Sequence, residues 1–120
     1  MRFIKRFVPD AVTVLSGPRP PDPLCFPSDH LQILCNSSDT PWVDPGVHFH
    51  EASDEAYLVL QGTMTLQIDG ELVVVGAGEI CFVAAMVPHA VVHVDTPYRG
   101  FVIRAPALQD KVYEIGTDAE

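Results

Sequence analysis

Apolar and polar residues alternate along much of this chain, in short runs broken by turn residues. Thr63 to Ile68 puts Met64, Leu66 and Ile68 on one side and Thr63, Thr65 and Gln67 on the other. That two-residue period is the period of a strand. Asp69-Gly70 follows, a dipeptide that favours a two-residue hairpin turn of the primed type, and Glu71 to Val75 returns from it. Gly76-Ala77-Gly78 turns the chain again before the run Glu79 to Val83. Val12 to Leu15 and His30 to Cys35 read as strands upstream, and Ala90 to Val94 and Gly100 to Ile103 downstream. Leu108 to Ile115 fits either a helix or a terminal strand, and no other stretch carries a 3.6-residue stripe. Short strands at regular spacing predict an all-β fold, a sandwich or barrel of antiparallel strands.

The ends of the chain read differently. Phe3 to Val8 alternates poorly, and Gly17 to Pro27 has five prolines in eleven residues. Such a segment makes neither a helix nor a central strand. It reads as a surface arm, or as an arm that crosses to a partner or covers a cavity mouth. Three parts of one domain are expected: an N-terminal arm with the first strands over 1–41, the barrel core over 42–104, and a C-terminal extension over 105–120. The central strands are apolar on both sides. Leu58 and Leu60 oppose Tyr57 and Val59, while Ala90, Val92 and Val94 oppose His89 and Val91. A sandwich needs only one apolar face, so a homodimer is expected to bury the other. The competing cover is the chain's own N-terminal arm.

Composition narrows the partners. The 120 residues suffice for one domain, and 48% apolar content with 19% charged residues is that of a globular protein. Sixteen acidic residues against seven Lys and Arg give a net charge of -9. That balance disfavours nucleic acid and anionic membrane. No run approaches the roughly 20 apolar residues of a membrane span. The first nine residues lack the apolar stretch of a signal peptide. Cys25, Cys35 and Cys81 are odd in number and lack framework spacing. A reducing, cytoplasmic setting is therefore expected.

The chemistry gathers between Gly46 and Gly62, Gly-Val-His-Phe-His-Glu-Ala-Ser-Asp-Glu-Ala-Tyr-Leu-Val-Leu-Gln-Gly. His48 and His50 are two apart, so on a strand both point the same way. Glu55 follows after a short break, and His89 sits in Met86-Val87-Pro88-His89. Imidazoles with a carboxylate bind divalent first-row metals, and iron, manganese, nickel, copper and zinc all accept this set. Tyr57 shares the side of Glu55 and either donates a hydrogen bond to a substrate or fills the barrel. His93 shares the strand face of His89 but lies about 13 Å along it, too far for the same ion. Phe49 points away from the ligands, and Cys81 reads as a buried structural thiol. Phe82, Phe101 and Met86 either line an apolar pocket or are core.

This arrangement resembles the cupin superfamily. Its first motif is His-x-His, a Glu three or four residues later, and a Gly after six more, which His48, His50, Glu55 and Gly62 satisfy. Trp42 stands where the family has an earlier Gly. In the second motif Gly78 and His89 fall in register, while Ala84, Met86 and His93 replace a Pro, a Gly and an Asn. The resemblance runs from about Trp42 to Arg104. It implies a double-stranded β-helix, or jelly-roll barrel, and one divalent ion per subunit on His48, His50, Glu55 and His89. Glu55 and Tyr57 become the catalytic candidates for a small-molecule substrate. Glu55 to Gly70 and Gly78 to His89 are similar to 3-hydroxyanthranilate dioxygenases, which also place Val-Pro-His at the second ligand. The implied enzyme is a dioxygenase-like oxidoreductase with no substrate named. The alternatives are a metal-dependent isomerase, lyase or decarboxylase, or a non-catalytic ligand-binding cupin.

Overall fold

Nine strands and no helix make up residues 3–114, the part of the chain that the computed structural model describes. They are β1 (Thr13–Gly17), β2 (Phe26–Pro27), β3 (Gln32–Ser38), β4 (His48–His50) and β5 (Asp54–Ile68). Then come β6 (Glu71–Val75), β7 (Ile80–Val83), β8 (His89–Ala105) and β9 (Lys111–Tyr113). The all-β, double-sheet expectation holds, with two refinements. The sheet network is open rather than closed, running β2-β1-β3-β8-β4-β9 with β5 pairing β6, β7 and β8. One pair, β1 with β2, is parallel.

Two long strands set the architecture. The runs that look like separate strands in the sequence, at Glu55 to Leu60 and Thr63 to Ile68, join into the fifteen residues of β5. The two downstream runs join into the seventeen residues of β8. Each bends and serves both sheets. The first half of β5 and the last half of β8 lie between β3 and β7. The other halves lie between β4 and β6. Gly62 sits at the bend with φ +77°, and a Cβ there would strike the Asp95 carbonyl and come within 2.8 Å of the Pro97 carbonyl oxygen. Only glycine fits that backbone and that approach. The Asp69-Gly70 hairpin forms as expected, with φ of 50° and 86°.

The core lies between the sheets and consists of Tyr57, Val59, Met64, Leu66, Val75, Val83, Val91, Val94 and Tyr98. Val91 and Val94 are both buried although they are three positions apart. The cause is a bulge: Thr65 pairs with His93 and Leu66 with Val91, so Val92 is the extra residue. The strict alternation expected over Ala90 to Val94 is therefore wrong. Val92 and His93 both face outward, and His93 does not share the face of His89.

The remaining expectations divide. Leu108 to Ile115 contributes the terminal strand β9 rather than a helix, and Ile115 lies outside the described residues. The proline-rich arm supplies β2 at the surface. The N-terminal segment covers part of the outer face. Arg99 Nη2 donates to Val8 O at 2.9 Å, Ser37 meets Asp10, and the Cys35 thiol points to Pro9 O at 3.7 Å. Among the described residues nothing covers the outer side of β5 and β7, where Phe82 is 74% exposed and Leu60 and Ile80 are exposed as well. Phe82 and Phe101 pair with Ala56 and Leu58, so they face outward, away from the cavity beside the cluster. Phe49 is half-buried outside the core, and Cys81 is half-buried and packs against the core. No helix among the described residues is long and apolar enough to cross a membrane.

Candidate metal centre

Both sheets contribute to one buried cluster. His48 and His50 come from β4 and His89 from the start of β8, its cross-strand partner. Glu55 comes from the start of β5 in the facing sheet. Each of the four offers one ligand atom, these atoms lie within 4.8 Å of one another, and all four residues are buried. His93, by contrast, is 58% exposed and bonds Asp95 at 2.8 Å.

The surroundings fix which nitrogen each ring presents. His50 Nδ1 lies 2.9 Å from Asp110 Oδ1, His89 Nδ1 2.9 Å from Val87 O, and His48 Nδ1 3.4 Å from Gly46 O. Each partner is an acceptor, so each ring carries its proton on Nδ1 and turns Nε2 toward the centre. His89 Nε2 is 2.7 Å from Glu55 Oε1 and His50 Nε2 is 3.3 Å from Glu55 Oε2. His50 Nε2 is buried and makes no hydrogen bond. Lone pairs of nitrogen and carboxylate oxygen thus face one another in a buried space. A shared cation satisfies that donor set and gives the buried His50 Nε2 a partner. The residues fit a divalent ion.

The charges follow the same geometry. Burial pushes the Glu55 carboxyl up, but His50 and His89 outweigh it and hold the group below the usual carboxylate range. Burial pulls His50 down, and the contact with Glu55 reverses this to a net rise. Burial, with His89 and Lys111 nearby, lowers His48. The Tyr57 hydroxyl donates to Glu55 Oε1 at 3.2 Å. Burial, and then the Glu55 charge, raise its phenol well above the ordinary range.

Asp110 is the residue the sequence reading lacked. Its Oδ2 accepts from the Ala52 and Ser53 amides at 2.9 and 2.8 Å and from Ser53 Oγ at 2.9 Å. Burial raises its carboxyl, yet these bonds and His50 bring it down to about 2. One carboxylate therefore ties the β4–β5 turn to the chain entering β9 while orienting the His50 ring. It lies sixty residues from His50 with no local pattern to mark it.

The loop before His89 is held as tightly. Met86 N donates to His50 O at 2.7 Å and Ala85 N to Asp54 Oδ1 at 2.9 Å. Met86 has φ 72°, the left-handed backbone that suits the Gly of the second cupin motif. A side chain there costs about 1–2 kcal/mol, and Met86 projects into solvent rather than into a pocket.

Beside the cluster lies a cavity of about 210 Å³. Tyr57, His48 and Glu55 form one wall, and Trp42, Leu34, Val91 and Val102 supply apolar surface. Trp42 stands edge-on to Tyr98 with ring centroids 6.1 Å apart. The residue replacing the family's early Gly is thus a piece of cavity wall packed on the core.

Two facing antiparallel sheets with three imidazoles and one carboxylate converged between them define a β-sandwich protein with an internal metal-type site. The cupin domain profile matches residues 41–103, just over half of the sequence, and the chain belongs to the cupin family. No curated protein sequence is detectably similar to it. Among solved structures it resembles a cupin protein of Bacteroides fragilis at 24% identity and a TM-score of 0.68, covering 100% of this chain and 97% of that one. It resembles a single-residue variant of Streptomyces PAC13 with uridine at 17% identity and 0.65, covering 92% and 84%. It also resembles the DMSP lyase DddQ of Ruegeria pomeroyi at 23% identity and 0.64, covering 92% of this chain and 53% of that one. These likenesses establish the fold.

Proposed function

We propose that this chain is a mononuclear metal enzyme acting on a small organic substrate, with one divalent ion on His48, His50, Glu55 and His89. The single observation that carries the reading is the four-residue buried cluster beside a cavity that Tyr57 also lines. When bound, the ion supplies Lewis acidity toward a substrate oxygen, and iron adds a redox centre. The chain's own residues do the rest. Trp42, Leu34, Val91 and Val102 hold a carbon skeleton and exclude water. Tyr57 keeps a proton beside Glu55 and presents it to the cavity. Proton-transfer chemistry, as in an isomerase, lyase or decarboxylase, is what this pair supports.

Dioxygenase-like oxidation is the second reading, supported by a set of three His and one Glu that would hold iron, which would supply redox chemistry there. Turnover of small carbonyl, enol and catechol compounds with and without oxygen separates the two. Under the proton-transfer reading, Tyr57→Phe retains full metal and loses about 10² or more in kcat. Metal-loaded protein inert to every compound, yet stabilised by one, identifies a binding cupin instead. The open apolar side of β5 and β7 supports a homodimer. The three free cysteines support a reducing, cytoplasmic setting.

A further inference from the structure

Two cations flank the cluster, and each is the cross-strand neighbour of one of its residues. Arg104 on β8 is paired directly with Glu55 on β5, and Gln32 on β3 is its neighbour on the other side. Lys111 on β9 is paired directly with His50 on β4. Directly paired residues point to the same side of a sheet with Cβ atoms about 4.5–5.5 Å apart. Arg104, Gln32 and Lys111 line the cavity beside the cluster. The same three line a second cavity of about 290 Å³ that also reaches Asp110. They therefore stand where the two spaces meet.

Arg104 has no ionic partner there. Its Nη2 reaches the Gln32 side-chain oxygen, and its Nε is buried with no hydrogen bond. Among the described residues every ion pair within 4.0 Å involves a histidine, so neither Arg104 nor Lys111 has a carboxylate. This is a chain with sixteen acidic residues and seven basic ones. A half-buried guanidinium without a carboxylate is out of keeping with that excess. The cavity's own acids are committed elsewhere. Asp44 Oδ2 accepts the Val91 amide at 2.8 Å, and Glu55 belongs to the cluster. A half-buried guanidinium with an unused, buried Nε donor is completed by a planar two-oxygen anion.

We propose that the substrate is a small organic carboxylate whose carboxylate pairs with Arg104 and Lys111 while its reactive oxygen faces the His48, His50, Glu55 and His89 cluster. This rests on the metal-enzyme reading and adds the substrate class. A divalent ion together with the two side chains makes the cavity net positive within a strongly acidic protein. A cavity of about 210 Å³ is smaller than the roughly 300–1,000 Å³ of drug-sized sites, which restricts the ligand to a compact acid. Carboxylate is preferred over phosphate because the Arg104 donors lie beside Gln32 in a flat strand-to-strand row. A guanidinium's parallel donors match the two oxygens of a planar carboxylate.

The test uses the metal-loaded full chain, with metal content read by elemental analysis. Binding of salicylate and pyruvate is titrated calorimetrically against salicylamide, pyruvamide and inorganic phosphate. The expected result is that at least one carboxylate binds ten-fold or more tightly than its amide and than phosphate. Arg104→Gln should bring that carboxylate down to the level of its amide, and the exposed Lys111→Gln should give an intermediate loss. Metal content should stay at one ion per chain in both variants. Full metal with no carboxylate preference, phosphate as the tightest probe, or a preference that survives both substitutions overturns the substrate class. A wild-type protein that takes up no metal overturns the reading beneath it instead.

Discussion

Replacing Asp110 offers the sharpest test of how the centre is held. Asp110→Ala removes the acceptor at His50 Nδ1 and, with it, the acceptor of two backbone amides and one hydroxyl. Nothing else in that group partners His50 Nδ1, so the ring loses both its tautomer lock and its orientation. Loss of a carboxylate behind a ligating histidine costs about 10–100-fold in metal affinity, or roughly 1.4–2.7 kcal/mol. Asp110→Asn keeps a neutral oxygen acceptor and should fall at the lower end. The Ser53 hydroxyl also bonds Pro106 O at 2.7 Å, and Ser53→Ala leaves the His50 contact in place. That variant should lower thermal stability while leaving metal affinity within about two-fold. The assay is competition for Zn(II) or Co(II) against a chromophoric chelator, with melting temperature measured in parallel. Equal metal affinity in Asp110→Ala and wild type, with only the melting temperature reduced, would refute the orienting role and leave a purely structural one.

Three further outcomes are expected. His50→Ala should lose most of its metal because a ligand is removed outright, whereas His93→Ala should keep it, and equal metal content in both variants counts against the ligand set. Gly62→Ala should destabilise the fold by more than about 2 kcal/mol in urea, from the left-handed backbone and the Asp95 and Pro97 carbonyls in the way; wild-type stability would mean the bend is not fixed there. Light scattering should give twice the mass of one chain, and Phe82→Glu should return it to one; a monomeric wild type refutes the dimer and leaves the partial cover by the N-terminal segment.

How far the sequence could be read depended on the range of the signal. His48, His50 and Glu55 lie within eight positions, and strand periodicity alone brings the two imidazoles to one side. His89 is forty-one residues from His48, and the spacing of a family motif was needed to place it. The turn at Asp69-Gly70 was legible because its chemistry is local. The bulge at Val92 was not. It arises from pairing two long strands across a bend, and one inserted residue moved His93 to the outside and spoiled the expected alternation. Asp110 and Arg104 were invisible for a related reason. Both matter only through register with β4 and β5, and a lone Asp or Arg carries no mark of its strand partner.

The sharing of β5 and β8 between the two sheets has a mechanical consequence. A sandwich made of separate sheets can part like two plates, but here β5 and β8 pair on both sides of the bend, with the register shifting between Val59 and Thr63. Parting the plates means breaking the longest ladder in the molecule. Transient opening is confined to elements held by few bonds, and β9 is three residues long and paired along one edge with β4. Fraying of that edge moves Lys111 and releases Asp110 from the ring of His50 without disturbing Glu55 or His89. Access to the interior and the grip on one imidazole are thereby linked. Amide exchange at Val112 should outpace that of Val102 by orders of magnitude, and ligand that fills the cavity should slow the first and leave the second unchanged.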